Sequence, residues 1–224
     1  MTQVFFRDIA RLKGRVLALG EIVERAVEDG VRSVETRDEA LAGRVIEGDR
    51  RIDEMEIEIE EECLKILALH QPVAQDLRFL VAVLKMNNDL ERIGDKAAGL
   101  ARKACRLGAL PRPEIAVDHG TMAEKTLAML LDSLRSLLDR DRDLAVRVCT
   151  SDDEINALED EHTRALRTFV SAHPAHAEAC GLLIEVSSAL ERIADLATNI
   201  AEDVIYMIDG TIVRHHHLEG ENEE

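Results

Sequence analysis

The chain writes one string twice, and that repetition limits what it can fold into. Leu90-Glu91-Arg92-Ile93-Gly94-Asp95 returns one hundred positions later as Leu190-Glu191-Arg192-Ile193-Ala194-Asp195, with five of six positions unchanged. Around both copies, apolar residues recur at helical spacing, so the repeated unit is a helix and the duplication one of helical bundles. Each copy places two carboxylates four residues apart, on one face of its helix.

The same periodicity runs through the rest of the chain. Ile9, Leu12, Val16, Leu19, Val23, Val27, Val31 and Val34 form one stripe and predict a helix over 5–34. Asp38 is placed to cap a second helix carrying Leu41, Val45, Ile52, Met55, Ile59 and Ile66, which His70-Gln71-Pro72 breaks. A third helix is expected from about Val73 to Leu107, before a loop marked by Gly108, Pro111 and Pro113. The second half repeats the plan over 114–139 and 142–172, breaks at His173-Pro174, and ends near Asp209-Gly210. The expected fold is all-α: six long helices in two pseudo-symmetric antiparallel three-helix bundles, 1–110 and 111–212, followed by a polar tail at 213–224. Abundant helix formers, with no Trp, one Tyr and only 4 Pro, agree with this.

A net charge of −17 argues against nucleic acid as a partner, which needs a basic face. No stretch approaches the roughly 20 apolar residues of a membrane span, and the first eight residues lack the features of a signal peptide, so a cytoplasmic location is expected. Cys63, Cys105, Cys149 and Cys180 form no C-x-x-C pair and read as reduced, mostly packed thiols.

On the third helix, a stripe of Leu80, Leu84, Asn87, Glu91, Asp95 and Ala98 starts apolar and turns acidic halfway along. Its counterpart is Cys180, Ile184, Ser187, Glu191, Asp195 and Thr198. Such acid pairs are ordinarily solvated, with neighbours such as Arg92 and Arg192 as ion-pair partners. Solvated positions are free to diverge after duplication, however, and these did not. The middle helices match as well: Asp49 and Asp53 in the first half align with Asp152 and Asn156 in the second. Helices packed about 8–10 Å apart would bring these groups face to face. Clustered carboxylates repel unless a cation lies among them, and hard oxygen donors suit Mg²⁺, Mn²⁺ or iron, with Zn²⁺ an alternative. Asn156 supplies an amide oxygen without charge, so the second site is expected to be the weaker.

The doubled Leu-Glu-Arg-Ile-x-Asp string, the segments at 49–53 and 152–156, and the six-helix duplication together resemble the PhoU family over nearly the whole chain. The resemblance implies two three-helix bundles whose acidic motifs hold multinuclear metal clusters in some members. It implies no enzymatic activity. It also implies a role beside the phosphate ABC transporter ATPase and a phosphate-sensing membrane histidine kinase, repressing the phosphate-starvation response, commonly as a homodimer recruited to the inner membrane face. The metal ligands it implies are Glu91, Asp95, Asp49 and Asp53 in the first bundle, and Glu191, Asp195, Asp152 and Asn156 in the second. The Asn that family members often carry four residues after the motif Asp is kept as Asn199 and replaced by Gly99.

Two other readings compete. One is a metal-independent helical adaptor. The other is a di-iron carboxylate enzyme, which would need two Glu-x-x-His motifs on inward faces where the chain has one, Glu159 to His162. His173, His176 and Cys180, and the run His215–His217, are metal-ligating residue types explained more simply by loop polarity, packing or a polar tail.

Overall fold

A computed structural model describes residues 3–115 and 117–210. Helix α1 spans Gln3–Thr36, α2 Glu39–His70, α3 Ala74–Gly108, α4 His119–Asp139, α5 Arg142–Ala172 and α6 Ala177–Asp209. A short 3₁₀ turn at Pro174–His176 joins α5 to α6, and no strand occurs among the described residues. The tail from 211, with its histidine run, lies outside them.

Local chemistry sets the helix ends. Asp38, Asp118 and Asp141 each accept a hydrogen bond from the backbone N–H three residues on, at 2.9 Å, satisfying an otherwise orphaned donor. The fourth helix therefore begins at His119 rather than at 114, because Pro111 and Pro113 hold the preceding segment extended until Asp118 supplies a cap. Helix α6 ends on Gly210 at φ +74°, a left-handed conformation that glycine adopts without strain. Replacing Asp38 by Ala is expected to cost about 1 kcal/mol of stability through the lost cap, measurable by urea unfolding, with no change in helix content.

Helices α1, α2 and α3 pack on one another, as do α4, α5 and α6, in two pseudo-symmetric antiparallel bundles. The bundles join along two seams, α3 against α6 and α1 against α4, and one continuous apolar core runs through both. Motif residues Leu90, Ile93, Leu190 and Ile193 are fully buried in it. Gly20 permits the α1–α4 approach, since a Cβ there would meet Leu134 Cδ1 at 2.7 Å. Polar ties also cross the α3–α6 seam: Lys85 pairs with Asp203 at 2.9 Å, and Arg78 Nε donates to the Met207 carbonyl at 2.9 Å.

The four cysteines are free thiols. Burial pushes Cys63 up to about 12 and Cys149 up to about 11, so neither presents a thiolate at neutral pH.

Candidate metal centre

Two turns of α2 present Asp49, Asp53 and Glu56 at spacings of four and three residues, hence on one stripe. Helix α3 presents Asn87, Glu91 and Asp95 beside them. Contact between the helices is close because position 94 has no side chain. A Cβ there would meet Ile52 Cδ1 at 2.8 Å and would stand 3.5 Å from the Asp49 carboxylate. Ile52 is fully buried and anchors α2 at this level, holding Asp49 over the motif.

Electrostatics places the predicted first-bundle residues together. Partial burial raises the Glu91 carboxyl above its ordinary value, and the negative charges of Asp95, Asp53, Glu56 and Asp49 raise it further. Asp49 is raised by burial and then by Asp95 and Asp53, against a lowering influence from Arg102. Each carboxylate thus stands in the field of the others, which is the condition in which a bound cation relieves most strain.

The second bundle repeats the pattern with one charge fewer. Glu191 is raised by burial, then by Asp195 and Glu159, and less by Asp152, while Arg192 opposes. Asp152 is raised by burial and by Asp195, but Asn156 Nδ2 donates to its Oδ2 at 2.9 Å and lowers it. Where the first face has the Asp49–Asp53 repulsion, the second has a hydrogen bond.

The faces include two residues that the sequence does not assign to them. Glu56 and Glu159 occupy the same place in the two repeats, and each acts on its motif glutamate. The offset that aligns Asp49 with Asp152 also aligns these two, and that signal was present in the sequence. Asn87 Nδ2 donates to the Glu56 carbonyl at 2.8 Å and to its carboxylate at 2.9 Å, tying the α3 stripe to the α2 stripe.

Several acceptors around these faces lack partners. Asn87 Oδ1 beside the first face, Asp152 Oδ1 within the second and Thr198 Oγ1 on the second stripe are buried polar atoms with no hydrogen-bond partner. Oxygen atoms left in this condition suit a hard cation better than they suit an empty surface. Among the described residues, however, no three His, Cys, Asp or Glu side chains converge into a single-ion cage. The acids lie along a face shared by two helices, and Asp53, Asp95 and Asp195 are solvent-exposed on it.

Other sequence candidates are placed elsewhere. Arg92 pairs with Asp89 at 3.0 Å. Asn199 is exposed and lines a cleft at the α3–α6 seam with Lys85 and Glu202. His173 stacks on Phe169 with ring centroids 4.3 Å apart, and His176 meets the same ring edge-on at 5.7 Å. His162 turns inward, away from the acid face that Glu159 joins. Its Nδ1 lies 3.0 Å from Ser187 Oγ, which is 3.1 Å from His119 Nε2. The Leu183 carbonyl, 3.1 Å from that same Nε2, can only accept, so His119 Nε2 carries the proton and donates there, while Ser187 Oγ links the two imidazoles. The Glu-x-x-His spacing is therefore divided between a surface and a core, and does not form half of a di-iron site.

The fold and its two faces define a class of duplicated helical-bundle proteins with an acidic face on each half. A model of the PhoU domain matches residues 16–104 and again 120–204, and this chain belongs to the PhoU family. It is 38% identical over 218 residues to the phosphate-specific transport system accessory protein PhoU homolog of Pseudomonas putida, covering 96% of this chain and 84% of that protein. It is 34% identical to the homolog of Aquifex aeolicus, covering 97% and 99% of the two chains. The crystal structure of PhoU from Pseudomonas aeruginosa superposes with a TM-score of 0.86 at 36% identity, covering 92% of this chain and all of that one. The phosphate transport regulatory protein PhoU from Streptococcus pneumoniae gives 0.84 at 25% identity, over 93% and 99%.

Proposed function

We propose that this chain is a non-enzymatic accessory regulator of phosphate-specific transport that represses the phosphate-starvation response and carries metal on its acidic faces. The observation that carries the reading is the duplicated carboxylate face, set on matching helices of a chain whose relatives are named accessory proteins of that transport system along almost their full length. Glu91, Asp95, Asp49 and Asp53 would hold metal in the first bundle, joined by Glu56. Glu191, Asp195, Asp152 and Asn156, with Glu159, would do so in the second. When bound, a divalent or transition metal would supply positive charge that neutralises the face. The residues themselves orient the donors: Ile52 and Gly94 set the helix spacing, and Asn87 fixes Glu56.

The partners fitting this reading are the phosphate ABC transporter ATPase and a phosphate-sensing membrane histidine kinase, met at the cytoplasmic side of the membrane, with the protein as a homodimer. No helix among the described residues is long and apolar enough to cross a membrane, so association with membrane machinery would run through partner proteins. Deleting the gene is expected to switch on phosphate-starvation genes in phosphate-rich medium, read by a reporter fusion. Expression that still follows phosphate normally in the deletion strain would refute the regulatory assignment.

A further inference from the structure

Two clefts open along the α3–α6 seam, and their charges are disposed differently. In one, of about 550 Å³, the cations are already committed: Lys85 lies 2.9 Å from Asp203 and Arg92 lies 3.0 Å from Asp89. The other, of about 450 Å³, gathers four cations, Lys96, Arg102 and Lys103 from α3 and Arg192 from α6. Two carboxylates face them, Asp95 and Glu185. Only Lys103 forms an ion pair, at 3.7 Å from Glu185. Lys96, Arg102 and Arg192 form none among the described residues. In a chain of net charge −17, four cations around one opening depart sharply from the surrounding surface, even though Arg102 also acts on Asp49 and Arg192 on Glu191.

We propose that this cleft binds a small phosphate-class oxyanion, held between the two bundles. The volume falls within the range of small-ligand sites, about 300–1,000 Å³, and a lining of charged groups selects a charged ligand over an apolar one. Guanidinium groups from both helices offer planar N–H forks that match the oxygen edges of a tetrahedral oxyanion, and lysine adds point charge. The Ser188 hydroxyl lines the same cleft and supplies a neutral donor. Gly99 keeps the wall open, since a Cβ there would meet nothing nearer than Lys103 Nζ at 3.9 Å. The second motif's arginine thus gains a role its glutamate and aspartate neighbours do not share: Arg192 lines the cleft together with the α3 cations. A small ion is favoured over an anionic membrane, because the field of the whole protein repels an extended negative surface while a recessed cationic cleft focuses a single ion.

This inference rests on the cleft's charges and not on the regulatory role; Asp95 is shared with the first acidic face, so phosphate is titrated with metal removed. It is tested by calorimetric titration of the chelator-treated full chain with inorganic phosphate at constant ionic strength. Saturable binding of one phosphate per chain is expected, weakened about tenfold or more in Arg102→Gln and in Arg192→Gln, each of which removes a charge-assisted pair. Both arginines are exposed, so both variants should keep the wild-type circular dichroism. Arg25→Gln, an exposed change on α1, should leave the affinity unaltered. Absence of saturable binding at millimolar phosphate overturns the proposal, as does equal weakening by Arg25→Gln, which would reveal only general electrostatics. Binding to phosphatidylglycerol vesicles without binding to free phosphate also overturns it, because the cleft would then serve a lipid surface.

Discussion

Replacing Glu91 and Asp95 together by Ala is expected to abolish metal binding by the first bundle while leaving the second bundle's metal in place. The cause lies in the mutual field of Asp49, Asp53, Glu56, Glu91 and Asp95, in which the two motif residues are the α3 half of the donor set. Wild-type chain should gain stability from added Mn²⁺, Mg²⁺, iron or Zn²⁺, because a ligand that binds only the folded state stabilises it by mass action. The gain is about 2.7 kcal/mol at a hundredfold excess over Kd. For a chain of this size that is a rise of roughly 5–10 °C in Tm. The double variant should lose the first bundle's share of this increment. Without metal it should be at least as stable as wild type, because like charges have been removed. Elemental analysis of protein purified without chelator gives the stoichiometry, and scanning calorimetry with and without metal gives the increment. Unchanged metal content in the double variant would remove the first face as a site. Metal-free wild type that gains no stability from any of these ions would favour a metal-independent adaptor, a reading to which the Asn156–Asp152 hydrogen bond already lends itself in the second bundle.

Acidification should destabilise the protein by about 3 kcal/mol between pH 6.5 and pH 4 through His119. Burial lowers this imidazole from 6.5 to about 4, and the nearby His162 adds to the lowering, against raising influences from the Leu183 carbonyl and Asp118. In the unfolded chain the same ring titrates normally. Between the two values the unfolded state binds more protons than the folded one, so stability is complete above about pH 6.5 and is lost as pH falls towards 4, at about 1.4 kcal/mol for each pH unit. His162, also lowered by burial, acts in the same direction. The acid faces act oppositely. Asp49, Glu91, Asp152 and Glu191 have raised values, so the folded state takes up protons first and gains as pH falls through the carboxylate range. Urea unfolding at a series of pH values should therefore show a loss beginning near pH 6.5, partly offset lower down. His119→Gln retains a donor for the Leu183 carbonyl but cannot titrate, so its loss over this window should be much smaller. An acid limb identical to wild type in His119→Gln and in His162→Gln would show that the buried histidines are not its source.

The acidic half of each face was readable from the chain because it follows from helical phase. Glu91 with Asp95, and Glu191 with Asp195, share a stripe in any α-helix, and the offset between repeats pairs Asp49 with Asp152. The same offset contains Glu56 and Glu159, but neither lies inside the matching short segments, and Glu159 reads from sequence only as part of a Glu-x-x-His motif. The arginines were read from sequence neighbourhood alone, whereas Arg92 pairs with Asp89 and Arg192 lines the seam cleft while still acting on Glu191. His162 shows the limit most clearly. Its spacing from Glu159 suggested one shared site, but three residues subtend about 300° on a helix, and whether that gap is bridged depends on which neighbours surround the helix.

The sequence by itself determined the six helices, the Asp38 cap, the breaks at His70–Pro72 and His173–Pro174, the duplication, the family and the paired acids of each face. These rest on interactions within a few residues of each other or on a repeat visible along one chain. The tertiary structure decided what the helices meet: the single core running through both bundles, the Ser187–histidine network, the orphaned Asn87 and Asp152 oxygens, and the cationic cleft at the α3–α6 seam. Such juxtapositions join residues about ninety positions apart, as Lys103 and Arg192 are. They arise from the packing of one bundle against the other, for which helical periodicity specifies a buried face but not the partner that covers it.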